Sequence, residues 1–136
     1  MEFRSIVKGQ LTQSLLKTLM ERAGYRVTRL GVEELFGEIQ YLDLPQYLAL
    51  NLPLNLRSLP DLLVADPNMQ KAYLVEVKFR REFNEASIGS LFKSLSKQRE
   101  HWQDSYAVVM IATPFVPDGR FNQDVMRVVP PDMTTL

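Results

Sequence analysis

Three residues in one short stretch have side chains suited to chemistry: Asp61, Glu76 and Lys78. They lie in LPDLLVADPNMQKAYLVEVKFR, residues 59–80, at the ends of otherwise apolar segments. Burying a lone carboxylate is costly, and burying two together is worse. A hard divalent cation offsets both costs. Magnesium takes carboxylate, carbonyl and water oxygens in octahedral geometry. Asp61, Glu76 and the backbone carbonyl of Val77 are the expected ligands, with manganese expected to substitute. Such a cation stabilises the charge growing on a phosphate under attack. Lys78 is then placed to hold the attacking water or the phosphate. The plainer reading is a salt bridge between Lys78 and one acid at a sheet edge, which is worth little when exposed.

Strands must position these groups. Asp61 to Ala65 and Ala72 to Phe79 read as two strands, joined by turn residues in Asp66-Pro67-Asn68-Met69-Gln70. Side chains alternate along a strand, so Glu76 and Lys78 share a face with Leu74, while Val75 and Val77 take the other. Antiparallel pairing brings the start of the first strand near the end of the second, and so Asp61 near Glu76 and Lys78.

The rest of the chain supplies a frame. Lys8 to Ala23 has helical spacing, with Leu11, Leu15, Leu16, Leu19, Met20 and Ala23 on one face and Gly24 as the stop. Tyr25 to Leu30 alternates as a strand. Glu33 to Ile39 suggests a short helix. Leu42 to Leu56, with Pro45 and Pro53, suggests an irregular or partly helical insertion. Ala86 to Trp102 is a second amphipathic helix, with Ile88, Leu91, Phe92, Leu95 and Trp102 on its apolar face. Tyr106 to Ala112 is nearly all apolar, as expected of a strand covered on both faces. Met126 to Val129 is a candidate last strand in a Pro-rich tail. The order is helix, strand, strand, strand, helix, strand: one α/β sandwich around a mixed sheet.

Composition sets outer limits. The 136 residues suit a single domain spanning 1–136, and 46% hydrophobic content is enough for one core. There is no cysteine, so disulfides and thiolate metal sites are excluded. No basic, apolar leader or membrane span is expected, and cytoplasm is the default. Net charge is zero, which argues against coating nucleic acid through charge alone. The charges are nevertheless segregated. Residues 4–29 and 78–99 are mainly basic, and 31–76 is mainly acidic. That pattern suits a cation site beside a phosphate-binding rim, or ordinary surface patchiness. Arg80, Arg81, Lys93, Lys97 and Arg99 are the candidate rim. His101, the only histidine, falls off the apolar helix face and offers little as a general base.

Pro60-Asp61 followed by Glu76-Val77-Lys78 resembles the signature of the PD-(D/E)xK nuclease superfamily, which includes restriction enzymes, archaeal Holliday junction resolvases and RecB-type exonucleases. A Pro-Asp dipeptide suitably upstream of an acid-x-Lys triplet arises by chance on the order of 5% of the time, so the agreement with the element order adds weight. The resemblance implies a restriction endonuclease-like three-layer sandwich, order α-β-β-β-α-β. It also implies magnesium on the motif acids and a lysine serving the attacking water. Gly9, Gln13 and Gly24 are similar to the opening helix of the resolvases, with Gln13 where that family has an acid. Gln98-Arg99-Glu100-His101-Trp102 is similar to the Q-x-x-x-Y motif of the RecB-type enzymes, with Trp for Tyr. Gln13 and Gln98 are therefore expected to support catalysis; Gln13 as a solvated helix flank is the alternative. For Arg99 the choice is between reaching a phosphate and packing its stem with its head in water. The partner expected is DNA, cut by a magnesium-dependent endo- or exonuclease, with a homodimer favoured if both strands of a duplex are cut. The alternative is a nuclease-fold binding or regulatory subunit, tied to repair or a mobile element, with little catalysis.

Overall fold

The computed structural model describes residues 3–31, 41–82, 84–113 and 126–134. Helix α1 (Phe3–Arg22) is followed by β1 (Arg26–Arg29) and two short helices, α2 (Leu44–Ala49) and α3 (Leu54–Arg57). Then come β2 (Leu62–Ala65), β3 (Ala72–Glu82), α4 (Glu85–Arg99), β4 (Tyr106–Thr113) and β5 (Met126–Val129). The five strands form one mixed sheet in the order β1-β2-β3-β4-β5. Among the described residues only β3 and β4 pair in parallel, and α4 makes the crossover between them. Setting aside the two short helices, the expected α-β-β-β-α-β order is present, extended by β5. The expected helix over Glu33–Ile39 lies outside the described residues.

The ends of α1 and α4 follow from local chemistry. Gly24, at φ +98°, closes α1 as the left-handed residue of a Schellman motif. The Gly24 N–H donates to Glu21 O at 3.0 Å and the Tyr25 N–H to Met20 O at 3.0 Å. Asn84 opens α4 through a reciprocal capping box with Ser87. In the insertion, Asp43 and Gln46 cap α2 in the same way, with Pro45 in its first turn. The partly helical expectation for this region thus resolves into two short helices. Their Leu44, Leu48 and Leu54 remain exposed.

The core has two halves, one on each face of the sheet. On one face, Leu16 of α1 packs with Leu62, Val64, Val75 and Val108, and half-buried Met20 joins them. On the other, Leu91 and Leu95 of α4 pack with Ala107, Val109, Ile111 and Val129. Strand β4 is therefore covered on both sides, as its apolar sequence predicts. The expected apolar face of α1 needs correction. Thr12, Leu16 and Met20 turn inward, whereas Leu11, Leu15 and Leu19 are 64%, 53% and 46% exposed. The leucine arc is wider than the strip of sheet beneath it. Docking through the 12-16-20 row leaves the 11-15-19 row, about 100° away around the helix, outside the contact.

Candidate active site

The site forms where β2 stops and β3 continues. Strand β2 is four residues long and β3 is eleven. Their antiparallel register pairs Leu62 with Val75, so Asp61, one residue before β2, lies opposite Glu76. Leu62 and Val75 both face α1. By alternation Asp61 and Glu76 face the α4 side together. Fully buried Pro60 fixes the chain just before this point. The Asp61 carbonyl accepts from the Leu30 N–H at 2.8 Å, which anchors its backbone to the end of β1.

The Asp61 carboxyl stands in for a missing strand. Its Oδ2 accepts from the Val77 N–H at 2.8 Å, at an edge where β2 no longer supplies an acceptor. Since Val77 turns its N–H to this edge, its carbonyl points the same way. The expected ligand set of Asp61, Glu76 and the Val77 carbonyl is thus gathered along one sheet edge. Lys78 follows on the Glu76 face, with its Nζ 3.6 Å from Glu76 Oε2. The side chains of Glu76 and Lys78 are 12% and 22% exposed, so this is no surface pair.

The electrostatics of Asp61 are unusual. Its pKa is pushed from 3.8 up to about 9. Burial is the largest cause, followed by the hydrogen bond to Glu76 and then its charge; the Val77 N–H and Lys78 oppose the rise. At neutral pH, with no cation present, the Asp61 carboxyl therefore keeps its proton and shares it with Glu76. A salt bridge accounts for Lys78 and Glu76. It leaves Asp61 a buried acid held beside another acid, and the hard-oxygen donor set fits a small divalent cation that keeps part of its water shell. Among the described residues no cluster of three or more His, Cys, Asp or Glu is present, and those gathered here offer two carboxylates and a carbonyl.

Helix α4 supplies the remaining contact. Gln98 is buried at 5% exposure, and its Nε2 donates to Glu76 Oε2 at 2.6 Å and to Ser58 O at 3.2 Å. Both partners are acceptors, which fixes the amide orientation and aims Oε1 elsewhere. That Oε1 is buried without a partner among the described residues. Just past the end of α4, Trp102 Nε1 donates to Asn55 O at 3.0 Å, which ties a second point to the segment leading to Asp61. These backbone acceptors, Ser58 and Asn55, have no side-chain signal in the sequence. The strand edge capped by Asp61 is likewise invisible until the lengths of β2 and β3 are known.

The other candidates separate. Gln13 is half-buried on α1, which packs on the opposite face of the sheet, and no hydrogen bond among the described residues joins it to Asp61, Glu76 or Lys78. Arg99 uses its guanidinium on the C-terminal segment, donating to Met133 O at 2.7 Å and Pro130 O at 2.9 Å. Its head is neither in water nor at the carboxylates. Arg80 shares the Glu76–Lys78 face; it is half-buried, and burial lowers its pKa. Arg81 is exposed and alternates to the opposite face. Lys93 and Lys97 are exposed one turn apart on α4, and His101 is exposed beyond its end.

No protein-family model matches the sequence, and no curated protein matches it. Among solved structures the chain is similar to Hjc of Archaeoglobus fulgidus, a Holliday junction resolvase from an archaeal hyperthermophile. The two share 16% identity with a TM-score of 0.44, over 91% of this chain and 73% of that one. Among the described residues no helix is long and apolar enough to cross a membrane.

Proposed function

We propose that this chain is a divalent-metal-dependent nuclease that hydrolyses DNA phosphodiesters at Asp61, Glu76 and Lys78. The observation that carries this reading is the buried carboxyl pair, Asp61 beside Glu76, with Lys78 on the same face. Magnesium, or manganese in its place, held by both carboxylates and the Val77 carbonyl would neutralise charge developing on the phosphate. The chain's own groups do the positioning. Gln98 holds Glu76 in place from α4. The Val77 N–H fixes the Asp61 carboxyl. The Lys78 ammonium, within reach of Glu76, orients the attacking water or a phosphate oxygen. Cutting both strands of a duplex would call for a two-fold dimer.

The test is cleavage of duplex, junction and single-stranded DNA in Mg²⁺ or Mn²⁺ by the parent protein and by Asp61→Asn and Lys78→Met. The expected result is cleavage by the parent and a loss of roughly 100-fold or more, on the order of electrostatic and general acid–base contributions, in each variant. Equal rates would sink the assignment. A second reading, a nuclease fold used as a DNA-binding or regulatory subunit, is favoured by one observation: α1 brings no acid to the pair, since Gln13 is neutral and its helix lies on the other face. Titration with Mn²⁺ separates the two. Absence of binding that depends on Asp61 and Glu76 supports the second.

A further inference from the structure

The arginines of the chain differ in how their donors are used. A guanidinium has five N–H donors. Arg99 has two bonded to backbone carbonyls. Arg29 donates to Ser14, and Arg57 stacks 5.7 Å from the centre of the Tyr47 ring. Arg80 makes a single hydrogen bond, Nη1 to the carbonyl of its neighbour Phe79 at 2.9 Å, and no ion pair among the described residues. Yet it is half-buried. None of the nitrogens of Arg80 that lack a protein partner is sealed from solvent, so a guanidinium whose stem is held by the strand keeps most of its donors open to a carboxylate or phosphate arriving from outside.

Its position gives a partner for those open donors a chemistry. On β3 the residues Glu76, Lys78 and Arg80 follow one another on one face, at about 6.7 Å per step of two residues. Arg80 is opposite Ile111 in the register with β4, and buried Ile111 confirms the α4 side for that face. On its other side β3 has run past the end of β2, whose last partner on it is Val75. The line therefore opens onto the edge where Asp61 and Glu76 meet.

We infer that Arg80 binds a backbone phosphate of the DNA next to the one held at Lys78, and so sets how the strand runs across the site. It is a positioning residue, bidentate to phosphate oxygens, and contributes no base reading. On binding, its head exchanges the Phe79 carbonyl for the phosphate. Arg81, on the opposite face, has no such role. This inference rests on the nuclease-site reading for the direction of the strand, but binding alone tests it.

The experiment is fluorescence anisotropy of a labelled DNA duplex in EDTA, against KCl concentration, for the parent, Arg80→Gln, Arg80→Lys and Arg81→Gln. One phosphate contact contributes about 0.9 to the slope of log K against log salt. Arg80→Gln is expected to lower the slope by about 0.9. Arg80→Lys should keep the slope, because it keeps the charge, while weakening binding by losing the bidentate geometry. Arg81→Gln should leave both unchanged. An unchanged slope in Arg80→Gln overturns the inference, as does a parent with no salt-dependent binding. Should Arg80→Gln fail to fold, Arg80→Lys decides alone: affinity equal to the parent overturns the bidentate contact. Binding that shows the expected slopes in a protein that cuts nothing would refute the nuclease reading and leave the Arg80 contact standing.

Discussion

Replacing Asp61 by asparagine should make the cation-free protein more stable at high pH, although it removes a residue of the site. Folding raises the Asp61 pKa from 3.8 to about 9. Below pH 3.8 the carboxyl is protonated in both states and costs nothing. Above it the unfolded chain ionises while the folded chain does not, so the unfolded state gains. Stability is lost progressively as pH rises, and the loss ends once the folded group ionises near pH 9. Each unit of separation is worth ~1.4 kcal/mol, so the site costs at most about 4 kcal/mol between roughly pH 4 and pH 7. Asparagine does not titrate. Its amide oxygen can still accept from the Val77 N–H, and its NH2 can donate to Glu76.

The assay is urea unfolding of the parent and the Asp61→Asn variant in EDTA from about pH 5 to pH 8. The stability of the variant minus that of the parent should grow by up to ~1.4 kcal/mol per pH unit. Added Mg²⁺ should narrow the difference, because a ligand that binds only the folded parent stabilises it in proportion to RT ln(1 + [L]/Kd). Parallel curves in EDTA would refute the argument. They would mean that the Asp61 carboxyl is already ionised and compensated in the folded protein, and that no buried shared proton exists for a cation to replace.

Two other perturbations have defined outcomes. Gln98→Ala removes the donor to Glu76 and Ser58 and should cost ~1–3 kcal/mol in urea unfolding, through the acceptors left unpaired; Trp102→Phe, which loses the bond to Asn55 O and one ring of packing, should leave Glu76 held. Gly24→Ala must place a Cβ at φ +98° and 3.4 Å from Pro67 Cγ. It should lower stability by roughly 1–2 kcal/mol with no effect on cleavage, as measured by thermal melting and the DNA assay.

The catalytic candidates are legible in the sequence because their cost is. Two acids and a lysine at the ends of apolar runs are expensive wherever the strands pair, so their positions require an explanation before any register is known. Helix α4, with Leu91 and Leu95 at one pitch, and apolar β4 are legible for the same reason: burial on one or both faces writes a period into the residues. Periodicity fails at α1. Leu11, Leu15, Leu16 and Leu19 form one apolar arc, and nothing in the sequence says which row within that arc docks. That depends on the width of sheet left open beside it. Resemblance alone places Gln13 at the site, and the face on which α1 packs does not bring it there. Neither reading of Arg99 from the sequence holds, because its partners are the carbonyls of Pro130 and Met133, which any residue type could have presented.

The site itself follows from unequal strand lengths. Were β2 to start a turn of the ladder earlier, a backbone carbonyl would take the Val77 N–H and Asp61 would have no edge to cap. Because β2 begins at Leu62, the carboxyl takes the place of the absent strand and is held against Glu76 by that bond. The same strand boundary leaves the edge of β3 beyond Val75 without a strand partner among the described residues. Proline at position 60 stops the pairing, since it lacks the N–H that a continued ladder would need. The Pro-Asp dipeptide thus has a physical division of labour. Proline ends the strand, and aspartate caps the edge that the ending exposes. Pro60→Ala should then loosen the capping geometry before it affects the core, with Leu62 and Val64 still packed against Leu16 while the Val77 amide becomes the first on β3 to lose protection from hydrogen exchange. Uniform loss of protection along β3 would show instead that Pro60 serves the core and that the strand end is set elsewhere.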